Sequence, residues 1–416
     1  LFLVGDSPQG LIGQLSPAQF ATYVANRRAE GFNVLYFDAV AGNYTNGRTD
    51  GKAADGTAPF LTGTSVSTYD LSKPNPAYFA ILDQFVNTVI ANGMIPVVDP
   101  IETGLYPNSP STSWMVNMRN NGTAKVNAFG RFLGARYAGK VLWLYGNDFE
   151  TWRTVPNDDT LVMALRDGIK AADPTDLDTI ELNYEVNGTY TATASRDDAN
   201  WESRSALDGI YTYNPTYAKF LTEYAKTNAK PTFLLEGQYE GANFGVNRTV
   251  TTPFALRRQN WWASTSGTSG IFYSNYPFSA GAQYLQYSNA TTGTRELGYM
   301  TSFLRNNGWQ KLVPDTGHTF LTGGLGTYAS TGDANTNSYA TAAVSPDGVG
   351  IAYIPTARTI TVNFNGFTNP TVRWLDPTTG TTTNATGGPF TGTRNLTTPG
   401  NHADGNNDWI LVVRNG

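Results

Sequence analysis

The sequence contains no cysteine. That removes thiolate nucleophiles, iron–sulfur clusters, cysteine-based zinc sites and a disulfide framework, and leaves the redox compartment open. Histidine is almost as scarce: there are two, His318 and His402, both late in the chain. A Ser-His-Asp triad or a histidine-rich zinc site would have to be built around one of them. Acid–base chemistry therefore falls to carboxylates and tyrosines. Charge is also thin. Charged residues make up 15%, and 28 basic against 33 acidic side chains leave a formal net charge of −5. So mildly acidic a chain has no electrostatic reason to bind nucleic acid or an anionic membrane. No apolar run reaches the ~18 residues of a membrane-spanning helix. The opening LFLVGDSPQG has no basic segment before it and reads as a buried strand running into a loop. So abrupt a start suggests a leader removed from the mature chain.

What is present points to a large folded core. Apolar residues make up 40% of 416 positions, enough to exclude disorder and to fill one large barrel plus a smaller module. Aromatics reach 13%, among many Asn, Thr, Ser and Gly. That combination suits a secreted, extracellular or periplasmic protein handling neutral polar ligands such as sugars, although an extracellular style of surface alone would produce it. A monomer without cofactor or bound metal is expected, with a carbohydrate as its partner. Sequons at Asn121, Asn187, Asn247 and Asn384 are no more than chance gives in so Asn- and Thr-rich a chain.

Short apolar runs alternate with amphipathic stretches. The runs are Leu1–Val4, Asn33–Phe37, Met94–Val98, Val141–Tyr145, Thr179–Tyr184, Gly209–Tyr213, Thr232–Leu235 and Gly270–Tyr273. Several are continuously apolar, as strands buried on both faces should be. Helical patterns lie between them at Ser16–Glu30, Asn75–Asn92, Val126–Tyr137, Asp159–Ala172, Thr216–Thr227 and Phe254–Ser264, the first two opening with a capping residue and a proline. This alternation predicts an α/β fold, a (β/α)8 TIM barrel over residues 1–310. A doubly wound sheet is the alternative, but GDSPQG is not its Gly-rich phosphate loop. Past Trp309 the period shortens. Strands at Thr341–Val344, Gly350–Ile354, Ile360–Phe364, Val372–Leu375 and Trp409–Val413, separated by turn clusters, predict a small all-β sandwich domain over 311–416. No low-complexity linker separates the two, so they are expected to pack closely.

In such a barrel the chemistry sits at the C-terminal ends of the strands. Acids cluster there: Asp6, Asp38, Asp99 and Glu102, then Asp148 and Glu150 in GNDFE, Glu185, Glu236 and Glu240. Ion pairing or metal binding would also explain a plain cluster. Strands four and seven carry a more specific signal. Hydrolysing a glycosidic bond takes one protonated carboxyl and one ionised carboxylate on opposite faces of the sugar, and strands four and seven of such a barrel lie across from each other, so Asp148 and Glu236 can flank a bound sugar. Asn147 adds a donor for a hydroxyl beside the reacting carbon. Asp6, Asp38 and Tyr211 are candidates for binding sugar hydroxyls, and Tyr239 for positioning Glu236. Trp114 and Trp152 lie in loops and are candidate sugar platforms. Trp261 and Trp262, inside a helical pattern, read as core. The DANTN stretch at Asp333–Asn337 resembles part of a calcium loop, but without the downstream Glu it reads as a polar turn.

Several segments, in order along almost the whole chain, resemble the apiosidase-like glycoside hydrolases: LFLVGDS, GFNV at Gly31–Val34, NPAYF at Asn75–Phe79, FGRFLGARY at Phe129–Tyr137, WLYGND at Trp143–Asp148, LEGQYE at Leu235–Glu240, LVPD at Leu312–Asp315 and WLDPTTG at Trp374–Gly380. The resemblance implies a (β/α)8 glycosidase with a catalytic Asp after strand four and a catalytic Glu after strand seven, matching Asp148 and Glu236. It also implies a following β-sandwich that is often labelled collagen-binding, a label not taken here as function. The chain departs from the family's common pattern beside both acids. Gly146-Asn147 stands where two glycines are common, and resembles the Asn–acid pair of the broader retaining clan A enzymes. Leu235-Glu236-Gly237 stands where Gly-Glu-Pro is common. The family's apiose substrate is therefore not carried over, and pentofuranosides, whether apiosides or arabinofuranosides, are the expected class. These features predict a secreted, retaining glycosidase. The alternatives are a catalytically silent carbohydrate-binding or matrix-adhesion protein and, more distantly, a metal-dependent hydrolase with oxygen ligands.

Overall fold

The computed structural model describes residues 1–104, 113–149, 158–184, 192–244, 249–275 and 281–416. Eight strands, β1 (Leu3–Gln9), β2 (Val34–Asp38), β3 (Ile95–Asp99), β4 (Leu142–Phe149), β5 (Asp178–Leu182), β6 (Asp208–Tyr211), β7 (Thr232–Glu236) and β8 (Thr268–Tyr273), form one sheet in the order β5-β4-β3-β2-β1-β8-β7-β6. The pairs β1/β2, β2/β3, β3/β4, β4/β5 and β7/β8 are parallel. At the ends of the order, the segment entering β6 bonds to β5 through Ala206 N–H and Asp178 O. This is the predicted TIM-like barrel, nearly closed. Every residue of β2, β4 and β7 is buried, which is why their sequences run apolar without alternation.

The helices start where the sequence provides caps. In chain order they are α1 (Leu11–Gln14), α2 (Pro17–Ala29), α3 (Pro76–Ala91), α4 (Met115–Tyr137), α5 (Asp158–Ala172), α6 (Ala199–Glu202), α7 (Thr216–Tyr224), α8 (Pro253–Ser264) and α9 (Thr292–Asn306). Ser16 and Gln19 make a reciprocal capping box on α2; Asn75 caps α3, and Thr252 caps α8. α4 begins eleven residues before the predicted Val126, with a break at Gly122 (φ 70°, ψ 168°) that interrupts the helical period. α9 has no counterpart among the helical patterns read from sequence.

The chain divides into two compact units. One comprises Val4–Tyr211 and Phe272–Asn289. Its core includes Phe20 stacked on Phe85 at 3.9 Å and a cluster of Phe60, Tyr69, Trp114 and Phe129. A Cβ on Gly130 would lie 2.2 Å from the Leu165 carbonyl oxygen, so the glycine in FGRFLG lets α4 and α5 touch backbone to backbone.

The other unit comprises Leu1–Leu3, Thr212–Ile271 and Ala290–Gly416. After α9 it continues through β9 (Val313–Pro314), β10 (Leu321–Gly323), β11 (Thr341–Ser345), β12 (Val349–Ile354), β13 (Thr359–Asn363), β14 (Thr371–Leu375), β15 (Thr382–Asn384), β16 (Thr393–Thr397) and β17 (Trp409–Arg414). These form antiparallel sheets in the orders β15-β14-β17-β12-β11-β9 and β10-β13-β16, around Ile354, Ile360, Val362, Phe364, Trp374 and Leu411. All five strands read from the sequence are present. The division thus groups Thr212–Ile271 with the sandwich, and α8 shows why. Arg257, 2% exposed, pairs with Glu296, Asp404 and Asp408. Arg258 donates to the carbonyls of Ala334, Asn335, Asn337 and Pro355. Trp261 and Trp262 are core, as expected, and Trp262 Nε1–H donates to Tyr339 O at 2.8 Å. The Asp333–Asn337 stretch is a polar turn, its Asp333 carboxylate accepting from Asn335 N–H, while Arg258 takes up its carbonyls.

Candidate active site

Asp148 lies near the end of β4, beyond the predicted strand end at Tyr145. The pairing of β4 with β5 shifts register between Tyr145 and Phe149, and within this bulge Gly146 (φ 68°) and Asp148 (φ 50°) take left-handed conformations. A Cβ on Gly146 would sit 2.8 Å from Phe149 Cβ, so glycine is required there. Bulges re-aim side chains, and a non-glycine residue held at positive φ stores strain of the kind found at functional sites. The Asp148 carboxylate accepts from Tyr44 Oη at 3.1 Å and from the Tyr211 hydroxyl. The two hydroxyls favour the ionised form, but burial outweighs them and pushes the Asp148 pKa up to about 6.

The same unit holds the other candidates from strands one to four. Asn147 is fully buried, its amide donating to Tyr36 Oη at 3.4 Å and Glu181 Oε1 at 3.5 Å. Asp6 is a buried ion pair, bonded by Tyr23 Oη at 2.7 Å and Arg27 Nε at 2.8 Å. Asp38 is also fully buried. It accepts from Thr45 Oγ1 at 2.6 Å and stands opposite Asp99 in the strand register. Glu102 is buried beside them, bonded by Gly42 N–H and Thr45. Among the described residues no cation pairs with Asp38, Asp99 or Glu102, and no group of three or more His, Asp or Glu could hold a metal ion. Burial raises all three carboxyls, Asp38 to about 7. Trp114 corrects the expectation of an exposed platform: it has no exposed surface and stacks on Tyr69 at 5.8 Å, a core position that gives a sugar no ring face. Trp152, Glu150 and Glu185 lie outside the described residues.

In the second unit Glu236 closes β7 and is 6% exposed. Tyr213 donates its hydroxyl to Glu236 Oε1 at 3.0 Å. Tyr239 is buried edge-on against Phe244. Behind the acid, Gln259 of α8 accepts from Gln238 N–H at 2.9 Å and donates to Gln238 O at 3.3 Å. Its Oε1 would lie 2.8 Å from a Cβ on Gly237, so the glycine after the acid is what lets this clamp close. Glu240 accepts from Thr291 Oγ1 at 2.6 Å and Gly293 N–H at 3.1 Å and so closes the N-terminus of α9, where a carboxylate is favoured. Sequence reasoning missed Tyr44, Tyr213 and Gln259. The YTY run was the available signal for Tyr213, because residues two apart in an extended segment share a face.

Among solved structures the chain is similar to a glycoside hydrolase (TM-score 0.76, 17% identity, covering all of this chain and 93% of the other). It is also similar to a family 5 glycoside hydrolase from Bacteroides vulgatus (0.77, 16%, 100% and 89%). A third likeness is to a GH30 endoxylanase from Clostridium papyrosolvens (0.52, 12%, 100% and 97%). At these identities the likeness is one of fold. No curated protein matches the chain. Residues 329–414 match the model of the "Putative collagen-binding domain of a collagenase". Residues 1–311 match that of the "Apiosidase-like, catalytic domain", and with three quarters of its length so matched the chain belongs to the apiosidase-like family and is a glycoside hydrolase.

Proposed function

We propose that the protein is a secreted, retaining glycosidase acting on a pentofuranoside, with Asp148 as acid/base and Glu236 as nucleophile. The observation that carries this reading is the Asp148 carboxyl, held in a strained bulge at the end of the fourth strand and raised by burial to about 6. Such a group keeps its proton at mildly acidic pH, as a general acid must. Asp148 gives its proton to the glycosidic oxygen as that bond breaks, and a Glu236 oxygen attacks the anomeric carbon, forming a glycosyl ester. Asp148, now ionised, removes a proton from water, which displaces Glu236 and releases the sugar with its anomeric configuration retained. The Tyr213 hydroxyl orients Glu236 through its Oε1. Tyr44 and Tyr211 orient Asp148. On this reading residues 1–310 hold the chemistry and 311–416 form a non-catalytic module. The low charge and hydroxyl-rich composition support secretion and a neutral glycan as substrate.

The test is a panel of defined furanosides and pyranosides, with product anomers followed by NMR. The expected result is hydrolysis of a pentofuranoside with retention, reduced at least about a thousandfold in both Asp148→Asn and Glu236→Gln. Turnover unchanged in either variant would remove that residue from the mechanism, and an inverted first product would remove the ester intermediate.

A further inference from the structure

A hollow of about 270 Å³ opens in the sandwich-bearing unit, lined among others by Leu221 of α7, Thr316, His318, Leu325, Tyr328 and Tyr339. Tyr328 is the unusual member. It is 51% exposed, yet its ring is braced by edge contacts with Tyr217 and Tyr339, both at 5.3 Å. The chain just after it is pinned as well: the Tyr217 hydroxyl donates to Ala329 O at 2.7 Å and accepts from Ala329 N–H at 2.9 Å. A half-exposed aromatic ring is thus held rigid at the edge of a cavity, which lowers the ordering cost of stacking a ligand on it.

The polar lining is neutral in effect. Asp315 is the one carboxylate in it, and its oxygens are taken by Thr319 N–H, Thr319 Oγ1, Phe320 N–H and Leu321 N–H. Those bonds build the turn that carries His318, whose backbone sits at φ 49°, a left-handed conformation that costs energy and is kept where the surroundings enforce it. The turn sets His318 Nε2 3.3 Å from Tyr339 Oη. An imidazole, a threonine hydroxyl and tyrosine hydroxyls around an aromatic ring, with no uncommitted charge, suit a ligand with an apolar C–H face and a rim of hydroxyls. The volume is below the roughly 300–1,000 Å³ of drug-sized sites, so it admits one ring and not a chain.

We infer that this hollow is a non-catalytic glycan-binding subsite that seats one neutral sugar residue of an oligosaccharide on Tyr328, with His318 and Tyr339 bonding its hydroxyls. The inference goes beyond hydrolysis and stands on the cavity alone. The experiment is calorimetric titration of the full chain with xylohexaose, arabinohexaose, mannohexaose and cellohexaose. It compares unmodified protein with Tyr328→Ala, Tyr328→Phe and His318→Ala, each checked by thermal unfolding. Hydrolysis of a small aryl glycoside, too short to reach a second site, reports on the catalytic acids separately. At least one hexasaccharide is expected to bind, about tenfold more weakly to Tyr328→Ala and with unchanged affinity to Tyr328→Phe, while aryl glycoside turnover stays the same. Should Tyr328→Ala fail to fold, at least a threefold loss in the His318→Ala protein carries the same weight. Equal affinity in the alanine variants, or no binding of any of the four sugars, overturns the inference. Binding lost in Tyr328→Ala in a protein that hydrolyses nothing leaves the subsite standing and removes the catalytic reading.

Discussion

Burial and hydrogen bonding pull the Asp148 carboxyl in opposite directions, and burial wins. The balance can be moved one hydroxyl at a time. With its pKa pushed up to about 6, Asp148 is protonated below that pH and ionised above it, so kcat/KM should fall on the alkaline side with a midpoint near 6. Tyr44 stabilises the ionised form, and its removal raises the carboxyl further. In Tyr44→Phe the alkaline limb should therefore move to higher pH. A limb that stays in place or moves down would show that Asp148 does not set it. Tyr213→Phe, acting on the other acid, should lower kcat about 10- to 100-fold with that limb unmoved, read from pH–rate profiles of both variants. At this scale the strand-end positions of Asp148 and Glu236 were legible because each follows a buried apolar run. Tyr211 was a candidate, but Tyr44 and Tyr213 were not legible, because which hydroxyl reaches which carboxylate depends on backbone paths between the strands. Trp114 misled for a related reason: a tryptophan in a connecting segment looks exposed until the segment folds onto Tyr69 and Phe60.

Among the elements, β4 departs most from its sequence pattern. Gly-Asn-Asp after an apolar run reads as the turn that ends a strand, yet β4 runs on through Phe149 by accommodating a bulge with two residues at positive φ. Period-two reasoning has no place for that extra residue. Gly146→Ala combines an unfavourable φ with a Cβ 2.8 Å from Phe149 Cβ. It should cost about 1–3 kcal/mol of stability by denaturant unfolding and lower kcat more than it raises KM, because it displaces Asp148. Unchanged stability and kcat would mean that the bulge is not the support of the acid. Other elements were read closely. Ser16-Pro17 and Asn75-Pro76 mark the starts of α2 and α3 by cap chemistry that is local to the sequence, while the Thr252 cap of α8 lies just before the predicted start at Phe254. The start of α4 was missed because Gly122 breaks its period.

For the molecule as a whole, the carboxyls of Asp38, Asp99 and Glu102 couple folding to pH. Burial pushes Asp38 up to about 7, against about 3.9 for an unfolded aspartate, so folding takes up a proton between those values. The stabilisation this gives is complete below about pH 4 and is lost as pH rises through 7; Asp99 and Glu102 are shifted in the same direction. The midpoint of thermal unfolding should fall between pH 5 and pH 8. Asp38→Asn, which keeps the shape and carries no charge, should flatten that fall by roughly 2–4 kcal/mol of unfolding free energy. A pH-independent midpoint would contradict the assignment. The barrel and the sandwich were both legible from period alone, since buried parallel strands and short alternating strands write different patterns. The grouping of Thr212–Ile271 with the sandwich was not, because nothing in the sequence pairs Arg257 with Asp408 or Arg258 with the carbonyls of Ala334, Asn335 and Asn337.

The central claim, that Glu236 is the nucleophile and Asp148 its acid partner, is tested most directly by covalent trapping. The protein would be incubated with the 2-deoxy-2-fluoro aryl glycoside of whichever sugar the panel identifies, then digested and mapped by mass spectrometry. The account predicts one fluoroglycosyl ester, on the peptide containing Glu236, formed with Asp148 unlabelled. An ester on a different carboxylate, or steady turnover of the parent glycoside with no adduct and an inverted product, would contradict it.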